Sequence, residues 1–236
     1  MNNKVRILGI IPARAGSKGI PNKNMRSLAG KPLIQYTIET ALLSNSLDTI
    51  MVSSDSEEII GLCGNFPKLE TPYLRPAELS LDTTPTIKAV KHALEYYNEI
   101  GRTFDYVCLL QPTSPFRNDA LIDNAVRKLI DEKGESLVTI RKVPAQYNPH
   151  WTFKMNEAIL SPFIDDNGII PRRQELPDAW HRDGKIYLTS VDLVKQGLLI
   201  GGKIIGFKND QETDVNIDTW EDWNLAEKLL EHGLVY

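Results

Sequence analysis

Short apolar runs alternate with helical patterns over the first 141 residues, and this alternation constrains the fold more than any other feature. Four runs too short for helices predict strands at 5–11, 49–53, 106–110 and 136–141. The segments between them predict helices at 32–43, 57–63, 85–97 and 119–130. Alternating strands and helices imply right-handed crossovers, so we expect an α/β fold with a mostly parallel sheet covered on both faces.

The alternation stops after Arg141. Residues 144–182 contain five prolines and two tryptophans without a strong period, which indicates an inserted arm. Strands are predicted again at 185–190 and 202–207, followed by a final helix at about 221–231. Because no repeat and no Gly/Ser-rich linker divides the chain, we expect residues 1–236 to form one domain that carries this arm.

The composition argues against several classes of protein. A formal net charge of −4 does not attract nucleic acid or an anionic membrane, so we expect neither as a partner. Cys63 and Cys108 have no C-x-x-C pairing and the four histidines have no ligand spacing, which predicts buried reduced thiols and no zinc. No run approaches 18 apolar residues, and the N-terminal run lacks a cleavage pattern. We therefore expect a cytoplasmic protein.

The first predicted strand runs into IIPARAGSKGIPNKN at 10–24, a loop with three cations, Arg14, Lys18 and Lys23. Its two prolines disfavour a helix, and it matches neither the P-loop nor the dinucleotide fingerprint. Ligands of an open parallel sheet bind outside the carboxyl ends of the strands. We therefore expect 12–24, here named the cradle loop, to meet 53–56 and 111–117 at one rim and to bind a polyphosphate. The alternative is a charged loop in solvent.

Five segments in order, ARAGSKGIPNKN, LAGKPLIQYTIE, SSDS, RPAELSLDTTPT and LLQPTSPFR, resemble the CMP-sialic acid synthetases, and the resemblance extends to NIDTWEDW near the C-terminus. These enzymes are cytidylyltransferases for nine-carbon keto acids, with relatives that act on Kdo. The resemblance implies a Rossmann-like nucleotidyltransferase fold. It also implies transfer of CMP from CTP to the anomeric hydroxyl of a nonulosonic acid, with Mg²⁺ and release of pyrophosphate.

The resemblance also assigns roles to residues. It implies that the triphosphate is held by five residues of the cradle loop: Arg14, Ser17, Lys18, Lys23 and Asn24. Arg75 and Thr86 match the segment that recognises cytidine, although a surface ion pair and a helix cap are alternatives for them. Gln111 would contact the sugar or its attacking hydroxyl, with a plain turn residue as the alternative. The predicted catalytic residues are therefore Arg14, Lys23, Gln111 and Asp218.

Asp218 in VNIDTWED is the predicted metal ligand, because Mg²⁺ bound to phosphate needs one or two carboxylates. The family has a D-x-D pair here, whereas this chain has Asn216 in the first place. Asn216 is the second predicted metal residue, because an amide can still coordinate through its carbonyl oxygen or hold a metal-bound water, although it adds no charge. Asp218 could instead cap the last helix, as could Thr219 or Asp222. Asn216 also leaves open a nucleotide-binding regulator that has lost catalysis.

The resemblance implies that the arm contacts the partner chain and that the strand after it contacts the sugar. Arg173 in RRQELP matches an arginine that reaches the sugar site of the other protomer, which implies a homodimer and argues against a Kdo-type enzyme. In HRDGKIY, Asp183 and Lys185 replace an asparagine and a small residue, and both are predicted with Tyr187 to contact the sugar. Trp151 stands where some relatives have lysine. We expect Lys185 to pair with Asp183 on one strand face, and a modified sugar such as legionaminic acid to be preferred.

Overall fold

The computed structural model describes residues 4–164, 168–209 and 215–235. A seven-stranded sheet lies at its centre, in the order β11-β7-β10-β6-β1-β4-β5. Two short two-stranded sheets, β2-β3 and β8-β9, accompany it. The strands are β1 (Ile7–Pro12), β2 (Ser27–Leu28), β3 (Lys31–Pro32), β4 (Thr49–Ser53), β5 (Leu69–Glu70), β6 (Tyr106–Leu109), β7 (Ser136–Lys142), β8 (Phe153–Asn156), β9 (Ile159–Pro162), β10 (Trp180–Ser190) and β11 (Ile204–Lys208).

In the described ranges, six α-helices accompany the sheet. They are α1 (Leu33–Leu43), α2 (Glu57–Cys63), α3 (Thr86–Glu99), α4 (Leu121–Asp131), α5 (Val191–Lys195) and α6 (Trp220–Glu231). The five predicted helices are confirmed, with ends that differ by two residues or fewer. The short α5 was not predicted, because five residues are too few to show a helical period.

The strand directions confirm the predicted α/β class with a mostly parallel sheet. Strand β1 runs parallel to β4 and β6, β5 runs parallel to β4, and β11 runs parallel to β7. Strand β10 is the exception, because it lies antiparallel between β6 and β7. An antiparallel neighbour needs no crossover helix, so β7 can lead through the arm and return directly to β10.

The arm is therefore inserted between two strands that pair with each other. Trp180 lies opposite Lys142 and Arg182 lies opposite Ile140, so residues 180–182 belong to the central sheet although the prediction placed them in the arm. Within the arm, β8 and β9 form an antiparallel hairpin. Whether this arm mediates dimerisation stays a prediction.

Apolar side chains fill both faces of the sheet. One core lies against α1 and α4 and includes Ile34 and Ile122, and another lies against α3 and includes Val90 and Tyr97. Cys63 and Cys108 are free and buried, as predicted, and burial raises the pKa of the Cys63 thiol to about 11. Within the described ranges, no helix combines the length and apolar character needed to cross a bilayer.

The topology also determines where a ligand site can form. Strands β6, β1 and β4 are neighbours and run in the same direction, so their carboxyl ends share one edge of the sheet. The cradle loop, 53–56 and 110–117 follow these three ends directly. The three loops therefore meet at one rim, where open parallel sheets bind ligands.

Candidate active site

A cavity of about 270 Å³ opens at this rim. Its walls come from four separate segments of the chain, which lie within 12–24, 75–89 and 111–113 and at 218. They include eight of the predicted site residues: Arg14, Ser17, Lys23, Asn24, Arg75, Thr86, Gln111 and Asp218. Residues that are distant in sequence thus share one pocket because the loops that carry them follow neighbouring strand ends.

The cradle loop is fixed in shape by contacts of its own backbone. Asn24 is buried, and its Nδ2 donates a hydrogen bond of 3.0 Å to the carbonyl oxygen of Arg14. The N–H of Ala15 donates to Oδ1 of Asp55 in the 53–56 loop at 2.9 Å. A Cβ on Gly19 would lie 2.2 Å from the carbonyl oxygen of Asp218, so only glycine allows this close approach. The loop is therefore held against the segment that contains the predicted metal ligand.

Lys23 is the most enclosed of the three loop cations. Its side chain is 12% exposed, and its Nζ donates to the carbonyl oxygen of Ile217 at 2.7 Å and to Oδ1 of Asp218 at 2.9 Å. A charge-assisted bond in a half-enclosed pocket is stronger than the same bond in open solvent. Lys23 and Asp218 therefore face the cavity as an ion pair.

Arg14 and Lys18 share a carboxylate that sequence reasoning missed. Asp82 accepts a hydrogen bond from Nη1 of Arg14, and its Oδ2 lies 3.1 Å from Nζ of Lys18. The hydrogen bond from Lys18, followed by that from Arg14, lowers the pKa of Asp82. Lys18 itself is 79% exposed and lies at an adjoining groove rather than in the main cavity. An anion of the protein thus lies against two of the cations predicted to hold phosphate.

Arg75 and Thr86 line the opposite wall. Arg75 is buried, its Nε donates to Oγ of Ser80 at 2.9 Å, and one Nη lies 3.8 Å from Asp55. Burial lowers the pKa of Arg75, and the alternative of a surface ion pair is wrong because the side chain is inside the protein. Thr86 is the first residue of α3 and makes no capping bond, since Pro85 is the N-cap residue. Its side chain is therefore available to the cavity.

Gln111 follows β6 at the centre of the rim. Its backbone carbonyl accepts hydrogen bonds from Nη2 of Arg117 at 2.7 Å and from the N–H of Ser114 at 3.2 Å. A Cβ on Gly184 would lie 3.9 Å from Oε1 of Gln111, so the side-chain amide lies beside the backbone of β10. Gln111 is therefore placed between the cavity and the segment 182–187.

Asp218 presents a largely exposed carboxylate, with 60% of its side chain accessible. Nδ2 of Asn216 donates to its Oδ2 at 3.0 Å, while Oδ1 of Asn216 accepts a hydrogen bond of 3.3 Å from Ser114. Thr219 caps α6 in a capping box with Asp222, so the alternative that Asp218 is the cap is wrong. Burial raises the pKa of Asp222, but the N–H groups of Asp218 and Thr219 outweigh this, and the pKa is lower than usual.

The described residues contain no group of three His, Cys, Asp or Glu side chains that could hold a metal ion alone. Mg²⁺ is usually bound through one or two carboxylates together with substrate phosphates, and it keeps several waters. The exposed carboxylate of Asp218, beside a cavity that cations line, fits this mode of binding. It does not fit a metal site built entirely from protein ligands.

The predicted sugar residues other than Gln111 do not line the cavity. Asp183 is buried and accepts hydrogen bonds from Thr139, from the backbone N–H of Lys185 at 3.0 Å and from Nδ2 of Asn209 at 2.7 Å. Its carboxylate thus has protein donors and does not require hydrogen bonds from a sugar. The strand is irregular here, with Gly184 at φ +80°, so the rule that alternate residues share a face does not apply to Asp183 and Lys185.

The remaining predicted residues lie nearer the periphery. Tyr187 is half-buried and packs against the core on the α3 face. Arg173 is exposed on the arm and lines a separate groove there. Trp151 donates from Nε1 to the carbonyl oxygen of Ile170 at 2.7 Å, a contact within the arm. The structure of one chain therefore does not bring Arg173 or Trp151 to the cavity.

A mostly parallel sheet with cations, a buried arginine and the exposed carboxylate of Asp218 at its carboxyl edge indicates a nucleotidyltransferase-like protein. Comparison with known proteins identifies the family, since the family described as cytidylyltransferase matches residues 8–194. The chain belongs to the cytidylyltransferase family and is a nucleotidyltransferase, as the sequence segments predicted.

Relatives and solved structures agree with this assignment. A CMP-N,N'-diacetyllegionaminic acid synthase from Legionella pneumophila is 34% identical over 96% of this chain and 97% of its own length. A pseudaminic acid cytidylyltransferase from Campylobacter jejuni is 33% identical over 94% and 95%. An N-acylneuraminate cytidylyltransferase from Escherichia coli is 31% identical over 94% of this chain and 52% of its own length. The solved structure of a CMP:2-keto-3-deoxy-manno-octonic acid synthetase complexed with CTP is similar in fold, with a TM-score of 0.69 at 16% identity, covering 97% of this chain and all of that one.

Proposed function

We propose that the protein transfers CMP from CTP to the anomeric hydroxyl of a nonulosonic acid and releases pyrophosphate. The observation that supports this most is the cavity itself, which gathers Arg14, Lys23, Arg75, Gln111 and Asp218 at one rim. These are the residue types that a polyphosphate and a hydroxyl nucleophile require. The reaction also agrees with the activities for which the relatives at 31–34% identity are named.

The cations would act on the leaving group. When the sugar hydroxyl attacks the α-phosphorus, the bond to the β-phosphate breaks and negative charge grows on pyrophosphate. Cations that are already in place stabilise this charge without reorganisation. Lys23 is held by Ile217 and Asp218 at the wall of the cavity, so its ammonium is the best placed to meet the leaving phosphates.

Mg²⁺ is the proposed metal. Asp218 would hold it with phosphate oxygens, and Asn216 would support that carboxylate through its hydrogen bond to Oδ2. When bound, the ion would supply further positive charge near the phosphates. Asn216 adds no charge of its own, but it lies beside Asp218, so the site retains the carboxylate that a catalytic metal needs.

Gln111 and the β10 side of the cavity would receive the sugar, because the cations and Arg75 occupy the nucleotide side. We propose N,N'-diacetyllegionaminic acid as the first substrate to test, on the strength of the relative at 34% identity. The likeness to the Kdo-type synthetase is one of fold at 16% identity, and the RRQELP segment argues against that substrate.

The test is a pyrophosphate-release assay with CTP and Mg²⁺ against four acids: N,N'-diacetyllegionaminic acid, pseudaminic acid, N-acetylneuraminic acid and Kdo. We expect turnover with a nonulosonic acid and the highest kcat/KM with the legionaminic acid. Equal or better turnover with Kdo would refute the nonulosonate assignment. Binding of CTP without turnover of any acid would favour a regulator that has lost catalysis.

We also propose that the enzyme is a homodimer joined through the arm. The hairpin exposes several large apolar side chains, with Met155 and Ile159 each 74% accessible in the single chain. Exposed apolar surface of this kind marks an interaction site. A second copy would cover the hairpin and bring Arg173 of one protomer toward the sugar side of the other.

Sedimentation velocity of the wild type and of Ile159→Glu tests the dimer. We expect a dimer for the wild type and a folded monomer with reduced activity for the variant. Leu43→Glu is the matched control, because Leu43 is an exposed leucine on α1, outside the arm. A wild type that is monomeric and active at assay concentration would refute this proposal.

The buried free thiols Cys63 and Cys108 support the cytoplasm as the proposed location of the protein.

A further inference from the structure

Arg117 is the largest of the fully buried side chains in the described part of the chain, with no exposed surface. It ends the loop 110–117 that follows β6, and it points back into the protein beneath the rim of the cavity. A long cationic side chain in such a place needs an explanation, because charged residues are rarely buried completely.

Its guanidinium connects three elements. Nε donates to the carbonyl oxygen of Lys185 in β10 at 2.9 Å, and Nη1 donates to Oγ1 of Thr37 in α1 at 2.9 Å. Nη2 donates to the carbonyl oxygen of Gln111 at 2.7 Å. All three distances are those of good hydrogen bonds. Two of the three acceptors are backbone groups on the two sides of the proposed sugar site.

The acceptors are all neutral. Among residues 4–164, 168–209 and 215–235, no carboxylate lies within ion-pair distance of Arg117, although the buried carboxylate of Asp183 is near enough to raise the pKa of Arg117 against the effect of burial. Burial lowers its pKa to about 10, which leaves the guanidinium charged at neutral pH. A buried charge without a counter-ion in contact is a costly way to fill space, and an apolar side chain of similar volume packs at lower cost. What arginine adds is a rigid planar fork whose donors point in fixed directions.

These fixed directions act on Gln111. Its carbonyl accepts from both Arg117 and the N–H of Ser114, so the peptide at Gln111 cannot rotate freely. The carbonyl of Lys185 fixes the neighbouring part of β10, where the backbone of Gly184 lies beside the Gln111 amide. One side chain thus sets the distance between Gln111 and the opposite wall.

We propose that Arg117 is a positioning residue for cytidylyl transfer, which holds the Gln111 side chain where it meets the attacking hydroxyl of the sugar. This inference rests on the proposed function, because it requires that Gln111 contacts the sugar. Arg117 does not touch the cavity and takes no part in the chemistry itself.

The variants Arg117→Lys and Arg117→Met test it, with kcat, KM for the sugar, Kd for CTP and melting temperature measured on each. A single ammonium cannot reach three acceptors in different directions. We therefore expect kcat to fall about 10²-fold in both variants, the loss that a misplaced reactive group causes. The Kd for CTP, measured by calorimetry, should stay within about twofold of wild type, because Arg117 donates to no residue of the nucleotide side.

Leu129→Ala is the control for a purely structural effect. Leu129 is fully buried on α4, in the apolar core that lies between the sheet and the helices α1 and α4. Its truncation lowers stability without changing a residue of the rim. We expect this variant to melt at a lower temperature and to keep its kcat. If it loses as much kcat as the Arg117 variants at a similar melting temperature, general destabilisation explains the loss and the inference is overturned.

A double-mutant cycle with Gln111→Ala gives the decisive result. If Arg117 acts through Gln111, then Arg117→Lys should cost little further activity once the Gln111 side chain is gone. Fully additive losses with an active wild type would refute the positioning role and leave the proposed function intact. A wild type that binds CTP but transfers it to no acid would refute the proposed function and this inference with it.

Discussion

Replacing Lys23 by methionine should lower kcat with CTP and the nonulosonic acid by about 10²- to 10³-fold, which corresponds to about 2.7–4 kcal/mol of lost transition-state stabilisation. Methionine keeps the unbranched shape and removes the charge. The size of the effect follows from the position of Lys23, whose side chain is only 12% exposed and whose ammonium is already held by Ile217 and Asp218. Solvent screens such a group poorly, and it needs no reorganisation during the reaction.

Lys18 provides a comparison within the same loop. Its side chain is 79% exposed and its pair with Asp82 is at the surface, where ion pairs contribute little. We therefore expect Lys18→Met to lower kcat/KM by about fivefold or less. Lys4→Met, which breaks an exposed pair with Asp48 on the far side of β1, controls for the loss of a charge as such.

The assay is continuous release of pyrophosphate at saturating CTP and sugar, with melting temperatures measured on all three variants. Loss of the bonds from Lys23 to Ile217 and Asp218 could loosen the start of α6, and the melting temperature detects this. If Lys23→Met keeps kcat within about threefold of wild type while folded, Lys23 does not stabilise the leaving phosphates, and the reasoning from enclosure is wrong.

Two further predictions concern acidic residues that sequence reasoning did not rank as functional. Asp82→Asn should tighten CTP binding by about two- to fivefold at low salt, because the carboxylate that engages Arg14 and Lys18 would no longer repel phosphate. Calorimetry at two salt concentrations measures this affinity. Weaker binding by the variant would show instead that Asp82 helps to hold the nucleotide. Asp222→Ala should destabilise the protein by about 1 kcal/mol through loss of the capping box. The folded-state pKa of Asp222 lies below its ordinary value of 3.8, so the stability difference between wild type and variant should be fully present above pH 3.8 and should disappear as the pH falls through the folded-state pKa. Urea unfolding at pH 7 and at decreasing acidic pH measures this difference. If it persists in acid, the ionised carboxylate is not what caps the helix.

The local sequence was enough to predict most of the elements. The strand at 49–53 and the helix at 57–63 have the bounds that their apolar patterns indicated. The cradle loop could also be predicted. Its prolines and glycines after a strand disfavour a helix, and its cations place positive charge where open parallel sheets bind ligands. Secondary structure and loop composition depend on neighbours in sequence, so a single chain already contains this information.

Long-range contacts could not be predicted in the same way. Strand β10 lies antiparallel because the arm returns the chain beside β7, and nothing in its own residues specifies that direction. Asp183 looked like a sugar contact as long as β10 was taken as a regular strand, but Thr139 and Asn209 from other elements bind its carboxylate. The partners of a buried polar group are set by which elements pack together, and that depends on the whole topology.

The residues of the candidate site also fall into two groups, those that the local sequence predicted and those that only the tertiary structure revealed. Sequence segments identified eight residues that line the cavity, because each follows a strand end or belongs to a recognisable segment. Asp82 and Arg117 lie within two of those same segments, RPAELSLDTTPT and LLQPTSPFR, yet their roles were not visible. Only the folded chain brings Asp82 against Arg14 and buries Arg117 between Gln111 and β10, because both contacts join backbone segments that the sheet, and not the local sequence, places side by side.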